Sequence, residues 1–206
     1  MLAPLLLVAL AASCAPKVHK LQGMPLAVSL PNPQLASGHR QLVFQWEYSE
    51  PELIIRGEGV ARIAAPDSVR LDLFLGGGLG GGRALLIGDT LVTPGTDLVR
   101  RYLPPPPLLW AALGRLALPP APDTTARVDG KTIRADIGHD PQWRITLLDS
   151  QLVRVERIDG GRLREWVERR PSGRIVYHHE TARRTLSISV NRTEERAGFD
   201  ANIWNR

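Results

Sequence analysis

Three features of the 206-residue chain combine residue types that chemistry could use: a glycine run, a pair of adjacent histidines and a His-Asp pair. The run is GGGLGGG, residues 76–82, with apolar flanks on both sides. Glycine-rich loops cradle phosphates when a helix N-terminus follows, because its free N–H groups point at the anion. Here the Gly-Lys-Ser/Thr ending is missing, and the following RALLIG reads as a strand. The run is therefore a poor nucleotide cradle. His178 and His179 are adjacent in an expected strand, so they point to opposite faces and cannot chelate one ion. His139 and Asp140 share the loop GHDPQ, but a pair lacks the three or four ligands that a metal needs. No cysteine pair, His-Glu-x-x-His or Gly-x-Ser-x-Gly occurs. Acids alternate with arginines, as at Arg164, Glu165, Glu168 and Arg169, which reads as cross-strand ion pairing on a wet face. These residues predict no catalytic group, no metal site and no cofactor.

The remaining reactive side chain is Cys14, the sole cysteine, so an intramolecular disulfide is impossible. It ends the run MLAPLLLVALAASC, which is uncharged, apolar and too short to span a bilayer. Such a run reads as the apolar part of a secretory signal, although a signal usually opens with Lys or Arg and this one does not. The ending LAASC resembles a bacterial lipobox. That resemblance implies cleavage before Cys14 and acylation of its thiol, and several acyl chains together anchor stably. Ala15, rather than an aspartate, follows the cysteine, a pattern similar to lipoproteins sent to the outer membrane. The expected layout is a signal peptide over 1–13, a lipidated N-terminus and tether over 14–38, and one folded domain over 39–206.

The domain must position whatever site exists, and its composition suits one sizeable core: hydrophobic residues are 43% and charged residues 23%. Net charge is +5 and lysines are few, with arginines scattered singly. That permits an anionic partner such as lipid headgroups but lacks the basic stripe of a nucleic-acid binder. From Gln41 onward the hydrophobic period is two. Leu42, Phe44, Trp46 and Tyr48 share one face, as do Val69, Leu71, Leu73 and Leu75, and later Leu186, Ile188 and Val190. Asp-Gly and Ser-Gly turns separate these runs and supply the positive φ of tight hairpins. The pattern predicts a mainly β fold: roughly ten strands in one large antiparallel sheet, which must curl or close to bury its apolar face. A further short strand or helical turn is expected near Leu26 to Leu30.

One segment departs from the alternation. Residues 96–118 predict a short helix through Tyr102, a stop at the four prolines, and a second helix opened by Pro106 or Pro107. Leu108, Leu109, Ala112, Leu113 and Leu116 make a broad apolar stripe with Trp110 at its edge. So apolar a helix must be covered, and a lid over a cavity would cover it.

Lipobox, tether, curled sheet and helical insert together resemble the LolA/LolB-like superfamily of envelope lipid-handling proteins over about residues 40–204. Within it the order of elements is most similar to the outer-membrane lipoprotein receptors of the LolB family, or to a neighbouring lipoprotein family of the same fold. The strand–loop–strand RLDLFLGGGLGGGRALLIGD stands where that family carries an exposed leucine, and Leu79 takes its place. This loop has more glycines than the family's, and the C-terminal AGFDANIW has no counterpart. The resemblance implies a large curled antiparallel sheet in the form of an open, incomplete β-barrel with a short helical lid, and a monomeric, non-enzymatic outer-membrane lipoprotein, lipid-anchored on the periplasmic face through Cys14. It would accept lipid or lipoprotein acyl chains, from a periplasmic carrier protein, in a hydrophobic cavity and pass them to the membrane. Leu79 would be the membrane-inserting tip. The cavity lining is expected from Phe44, Trp46, Ile55, Leu71, Leu73, Leu108, Leu109, Trp110, Leu113, Ile145 and Leu186. The competing expectation is a structural or assembly lipoprotein that binds another envelope protein through the sheet.

Overall fold

The computed structural model describes residues 15–27, 29–78, 80–94, 97–119 and 121–205; Cys14 and Leu79, the two expected membrane-contacting residues, lie outside the described residues. In chain order, β1 (Met24–Pro25) precedes a first meander of β2 (His39–Glu50), β3 (Leu53–Ala64), β4 (Ser68–Leu75), β5 (Gly81–Ile87) and β6 (Thr90–Val92). Two helices follow, α1 (Asp97–Tyr102) and α2 (Pro106–Leu113). A second meander ends the chain: β7 (Thr124–Asp129), β8 (Thr132–Ile137), β9 (Gln142–Leu148), β10 (Gln151–Asp159), β11 (Arg162–Arg169), β12 (Arg174–His179) and β13 (Arg184–Arg196).

All thirteen strands join one antiparallel sheet in the order β1-β7-β8-β9-β10-β11-β12-β13-β2-β3-β4-β5-β6. The long β13–β2 ladder, from Thr185↔Ser49 to Arg196↔His39, fuses the two meanders. Among the described residues no ladder joins β6 to β1 or β7, so the barrel stays open. The expected fold class holds, with more strands than the roughly ten expected. The early strand is β1 at Met24–Pro25, just before the stretch where one was expected.

The alternation places the faces. On β2, Phe44, Trp46 and Tyr48 are buried and Gln45 is exposed; on β4, Val69, Leu71 and Leu73 are buried. Gly57 and Gly59 on β3 leave space for the aromatic rings of the next strand, since a β-carbon at either would overlap Trp46 or Phe44. That is the physical reason for glycine inside a strand here. The outer face carries ion pairs such as Asp72 with Arg62 and Arg70, Arg144 with Asp136 (2.7 Å), and Arg154 with Glu168 (2.7 Å).

The topology fixes where the helices go. The chain leaves the sheet at the β6 edge and re-enters at the β7 edge, so the connection must cross the open side of the barrel. Pro106 starts α2, where a missing N–H costs nothing. Gly114 ends it with φ +94°, its N–H donating to the Ala111 carbonyl at 3.0 Å. Leu108, Leu109, Trp110, Ala111 and Ala112 are all buried. A helix apolar around most of its circumference is stable only when covered on all sides, and the concave sheet covers it.

The segment expected as a tether is bound to the barrel from Ala15 onward. Val18 N–H donates to the Gly161 carbonyl (3.1 Å), Leu26 N–H to Ala126 (3.1 Å), and Leu116 N–H donates back to Pro33 (2.8 Å). The C-terminal segment, unplaced by the family resemblance, packs on the sheet: Phe199 meets His39 edge-on, and Arg70 Nη1 donates to the Ile203 carbonyl (3.1 Å).

Candidate functional site: an apolar cleft between two charged ends

Beneath the helices the concave face forms an apolar cleft. β2 contributes Phe44 and Trp46, β4 Leu71 and Leu73, α2 Leu109 and Leu113, and β13 Leu186. These seven of the eleven expected lining residues come together. Ile55 is half-buried near the edge of the core, paired with Tyr48. Leu108, Trp110 and Ile145 are fully buried away from the cleft. Leu108 and Trp110 lie on other faces of α2, and Ile145 sits on β9 in the second meander. The apolar composition of α2 hid this division, because every face of it is greasy. Sequence reasoning missed Tyr102 and Leu103, which α1 brings to the cleft, and Ile175 from β12.

The cleft is narrow. It encloses about 40 Å³, room for about three water molecules, and an apolar lining keeps so small a space dry. An acyl chain enters only if the insert moves. Apolar packing of Val99, Leu103 and the run from Leu108 to Ala112 holds the insert, with few polar contacts beside it. Trp110 Nε1 donates to the Gly88 carbonyl at 2.6 Å, pinning α2 to the β5–β6 turn. Arg101 Nη2 donates to Glu50 at 2.6 Å, and Tyr102 packs its ring on Tyr48 with centroids 4.6 Å apart.

The two ends of the cleft differ. Strand register places the β2–β3 turn and the glycine loop at one end. Here, at the glycine-loop end, Glu165 is buried at 4% exposure on the concave face. It accepts from Tyr177 Oη at 2.8 Å and from Arg157 Nη1 at 3.1 Å. Burial, with the Glu165 charge beside it, pushes the Tyr177 phenol far up, so it stays protonated and donates. The Arg101 hydrogen bond, with a second from Tyr48, holds the Glu50 carboxyl below its ordinary range. Burial lowers the His179 imidazole, which is therefore neutral near pH 7.

At the far end a second pocket of about 600 Å³ adjoins the cleft and shares Leu42, Ala112, Leu113, Ile175 and Val190 with it. Arg40 and Arg169 line it from the inward rows of β2 and β11, and no acidic residue does. Burial and then the nearby Arg40 charge lower the Arg169 guanidinium from its usual value. The expected cross-strand pairing at residues 164–169 therefore splits. Glu168 pairs with Arg154 and Arg170 on the outer face, Glu165 lies inside, and Arg169 lies inside without an acidic partner among the described residues.

Of the histidines, His178 and His179 take opposite faces: His178 stacks on Trp166 at 5.6 Å and His179 lines the glycine-loop end. His139 Nε2 lies 3.0 Å from Asp123 in the open. Among the described residues no three His, Cys, Asp or Glu side chains gather as a metal site, and no helix is long and apolar enough to cross a membrane.

No family model matches this chain, and no curated protein does. Solved structures do. A LolA superfamily protein from Nitrosomonas europaea is similar with a TM-score of 0.57 and 10% identity, over 84% of this chain and 92% of that one. A domain provisionally named an outer membrane lipoprotein-sorting protein, from Vibrio parahaemolyticus, gives 0.49 and 7% over 82% and 89%. A DUF1329 family protein from Desulfovibrio piger gives 0.49 and 8% over 82% and 90%. The first of these likenesses establishes the architecture: the chain has the LolA-like fold, an open antiparallel barrel with a helical insert.

Proposed function

We propose that the protein is an envelope carrier or receptor that takes acyl chains into the cleft beneath α1 and α2 and passes them on without covalent chemistry. The observation that carries this reading is the cleft itself. An open sheet and a helical insert face each other across apolar side chains, with no catalytic constellation between them among the described residues. The polar contacts on the insert are few, Trp110 to Gly88, Arg101 to Glu50, Arg100 to Leu91 and Arg184 to Arg101, and adaptable apolar packing supplies the rest of its hold.

The polarity of the barrel supports a membrane-facing end. Ala15, next to Cys14 in the chain, packs at the β10–β11 turn, where Leu163 N–H donates to the Pro16 carbonyl at 3.0 Å. Register puts that turn at the glycine-loop end. Exposed Leu53, Ile54 and Phe74 lie at the same end. We infer acylation of Cys14, attachment to the periplasmic face of the outer membrane, and insertion of the Leu79 loop into the lipid. One inserted leucine is worth only about 1.5–3 kcal/mol, enough to open a local defect beside an anchor but not to anchor. Cargo would come from a soluble periplasmic carrier.

Native mass spectrometry of the full chain, purified from a bacterial envelope without detergent, tests this reading. A co-purifying lipid or acylated peptide is expected. In the same preparation Leu79→Glu retains cargo and fails to deliver it to liposomes. A chain that flies empty and stays empty after incubation with lipid overturns the carrier reading.

A further inference from the structure

We propose that the far-end pocket seats the anionic headgroup, phosphate or carboxylate, of one amphiphile whose acyl chain occupies the apolar cleft, with Arg40 and Arg169 as the headgroup-binding residues. This deepens the carrier reading and rests on it.

Four observations carry the proposal. The first is continuity: the pocket and the cleft share Leu42, Ala112, Leu113, Ile175 and Val190, so a head and a chain of one molecule fit the two together. The second is size. The pocket holds about 600 Å³, ample for a headgroup, where the cleft holds little. The third is charge. Arg40 and Arg169 both project from inward-facing rows, Arg170 and Arg174 also line the pocket, and no acidic side chain does. Arg40 Nη2 donates to the Ala36 carbonyl at 3.3 Å, while its buried Nε has no partner. Glu195, cross-strand to Arg40, is exposed and makes no ion pair with it. Both arginines are half-buried, and desolvation of a cation is costly without an anionic partner. Neither has one among the described residues, and their planar donor forks match oxyanion geometry.

The fourth observation is preorganisation. Gly114 ends α2 directly against Arg169: a β-carbon there would overlap its guanidinium. The C-terminal end of the helix, negative by its dipole, steadies the cation without consuming it in an ion pair. The headgroup would thus lie at the end of the barrel away from the glycine loop, with the chain pointing toward that loop. An amphiphile held this way leaves chain-first into a membrane at the glycine-loop end.

Calorimetric titration of the full chain separates the possibilities with three probes: lauroyl lysophosphatidic acid, uncharged monolaurin, and chain-free glycerol phosphate, the amphiphiles below their micelle thresholds. The anionic amphiphile is expected to bind about tenfold or more tighter than monolaurin, the scale of one or two charge-assisted hydrogen bonds. Arg40→Gln and Arg169→Gln should each remove about that factor for the anionic probe and leave monolaurin unchanged. Thermal unfolding of both variants checks their fold, and Arg40→Gln carries the test if Arg169→Gln unfolds. Equal binding of both amphiphiles, insensitive to the arginines, overturns the headgroup site and leaves the carrier reading standing. Glycerol phosphate binding as tightly as the anionic amphiphile overturns it in favour of a free-anion site. Failure of both amphiphiles to bind overturns the carrier reading and this proposal together.

Discussion

The two ends of the concave face carry arginines in opposite circumstances. At the glycine-loop end Arg157 meets Glu165 and Arg101 meets Glu50, with Tyr177 and Tyr48 donating to the same carboxylates. At the far end Arg40 and Arg169 share a pocket that no acid lines. In the first arrangement each carboxylate is met by an arginine and a tyrosine, although the Nε atoms of Arg157 and Arg184 there have no hydrogen-bond partner among the described residues. It reads as structure, holding β10, β11 and β12 together and fastening α1. The second is incomplete, so it reads as a binding site. A buried charge reveals function less by its presence than by what fails to neutralise it.

The sharpest way to break that contrast is to remove the compensation. Glu165→Leu deletes the acceptor of both Tyr177 and Arg157. A buried phenol is then left unsatisfied and the half-buried Arg157 guanidinium keeps only its 3.5 Å pair with Asp159, and stability should fall by about 2–4 kcal/mol. Chemical denaturation measures the loss. A change within about 0.5 kcal/mol would show that the cluster is not structural and would erase the difference between the ends.

Much of this organisation was legible in the sequence, for one reason: period two. Strand faces, hairpin turns and the helical interruption all follow from local patterns, and Phe44, Trp46, Leu71, Leu73 and Leu186 fall on the cleft because alternation fixes their side. The charged ends were not legible. Along β11 the inward row reads Leu163, Glu165, Val167, Arg169, and alternation alone already places Glu165 and Arg169 inside. An alternating acid-and-arginine strand nevertheless looks like a wet face, and only the pairing partners separate the two rows. Arg169 becomes conspicuous once its neighbours are known to be apolar and basic. The division of α2 into cleft-facing and core-facing sides was equally hidden. A uniformly apolar helix has no preferred face to announce, so Leu108 and Trp110 could not be separated from Leu109 and Leu113. The bound path of residues 15–38 was lost for another reason: isolated backbone hydrogen bonds leave no periodic trace.

Gly114 sharpens the contrast from the other side, since it bears on the far end alone. Gly114→Ala forces a residue with a side chain to φ +94°, at a cost of about 1–2 kcal/mol, and its methyl group displaces Arg169. Thermal melting should report the first effect, and weaker binding of an anionic amphiphile the second. Retained affinity would mean that the position of Arg169 does not matter to the pocket.

Acid should distinguish the ends without any mutation. Glu50 has a folded-state pKa below its unfolded value, so its stabilisation is present above the ordinary carboxylate range and is lost as pH falls through the folded pKa. His179 is also depressed, by burial, so the unfolded chain binds its proton first and stability falls as pH drops below about 6.5. Both signs loosen the glycine-loop end, where α1 is fastened, while neither an acid nor a histidine lines the far-end pocket. Hydrogen exchange across residues 97–103 should therefore accelerate in acid. His179→Gln should suppress the part of this change nearer neutrality, and Glu50→Gln the part below the carboxylate range. Uniform acceleration in both variants would show that neither Glu50 nor His179 fastens α1.

The smallest expected effect is the most telling. Removing an uncompensated cation relieves desolvation and repulsion from Arg40, and forfeits a helix-terminus interaction worth about 0.3–1 kcal/mol. These oppose each other, so Arg169→Met should change the stability of the ligand-free protein by less than about 1 kcal/mol, against the larger loss at Glu165. Denaturation in the absence and presence of lauroyl lysophosphatidic acid makes the comparison. The ligand should raise the unfolding midpoint of the parent chain and barely move that of the variant, because stabilisation by a ligand scales with its affinity for the folded state. A residue that costs little when empty and much when the ligand is present acts through the ligand. If Arg169→Met instead costs as much as Glu165→Leu, Arg169 is a cap for α2, both ends of the barrel are structural, and the cleft must recognise its cargo by the chain alone.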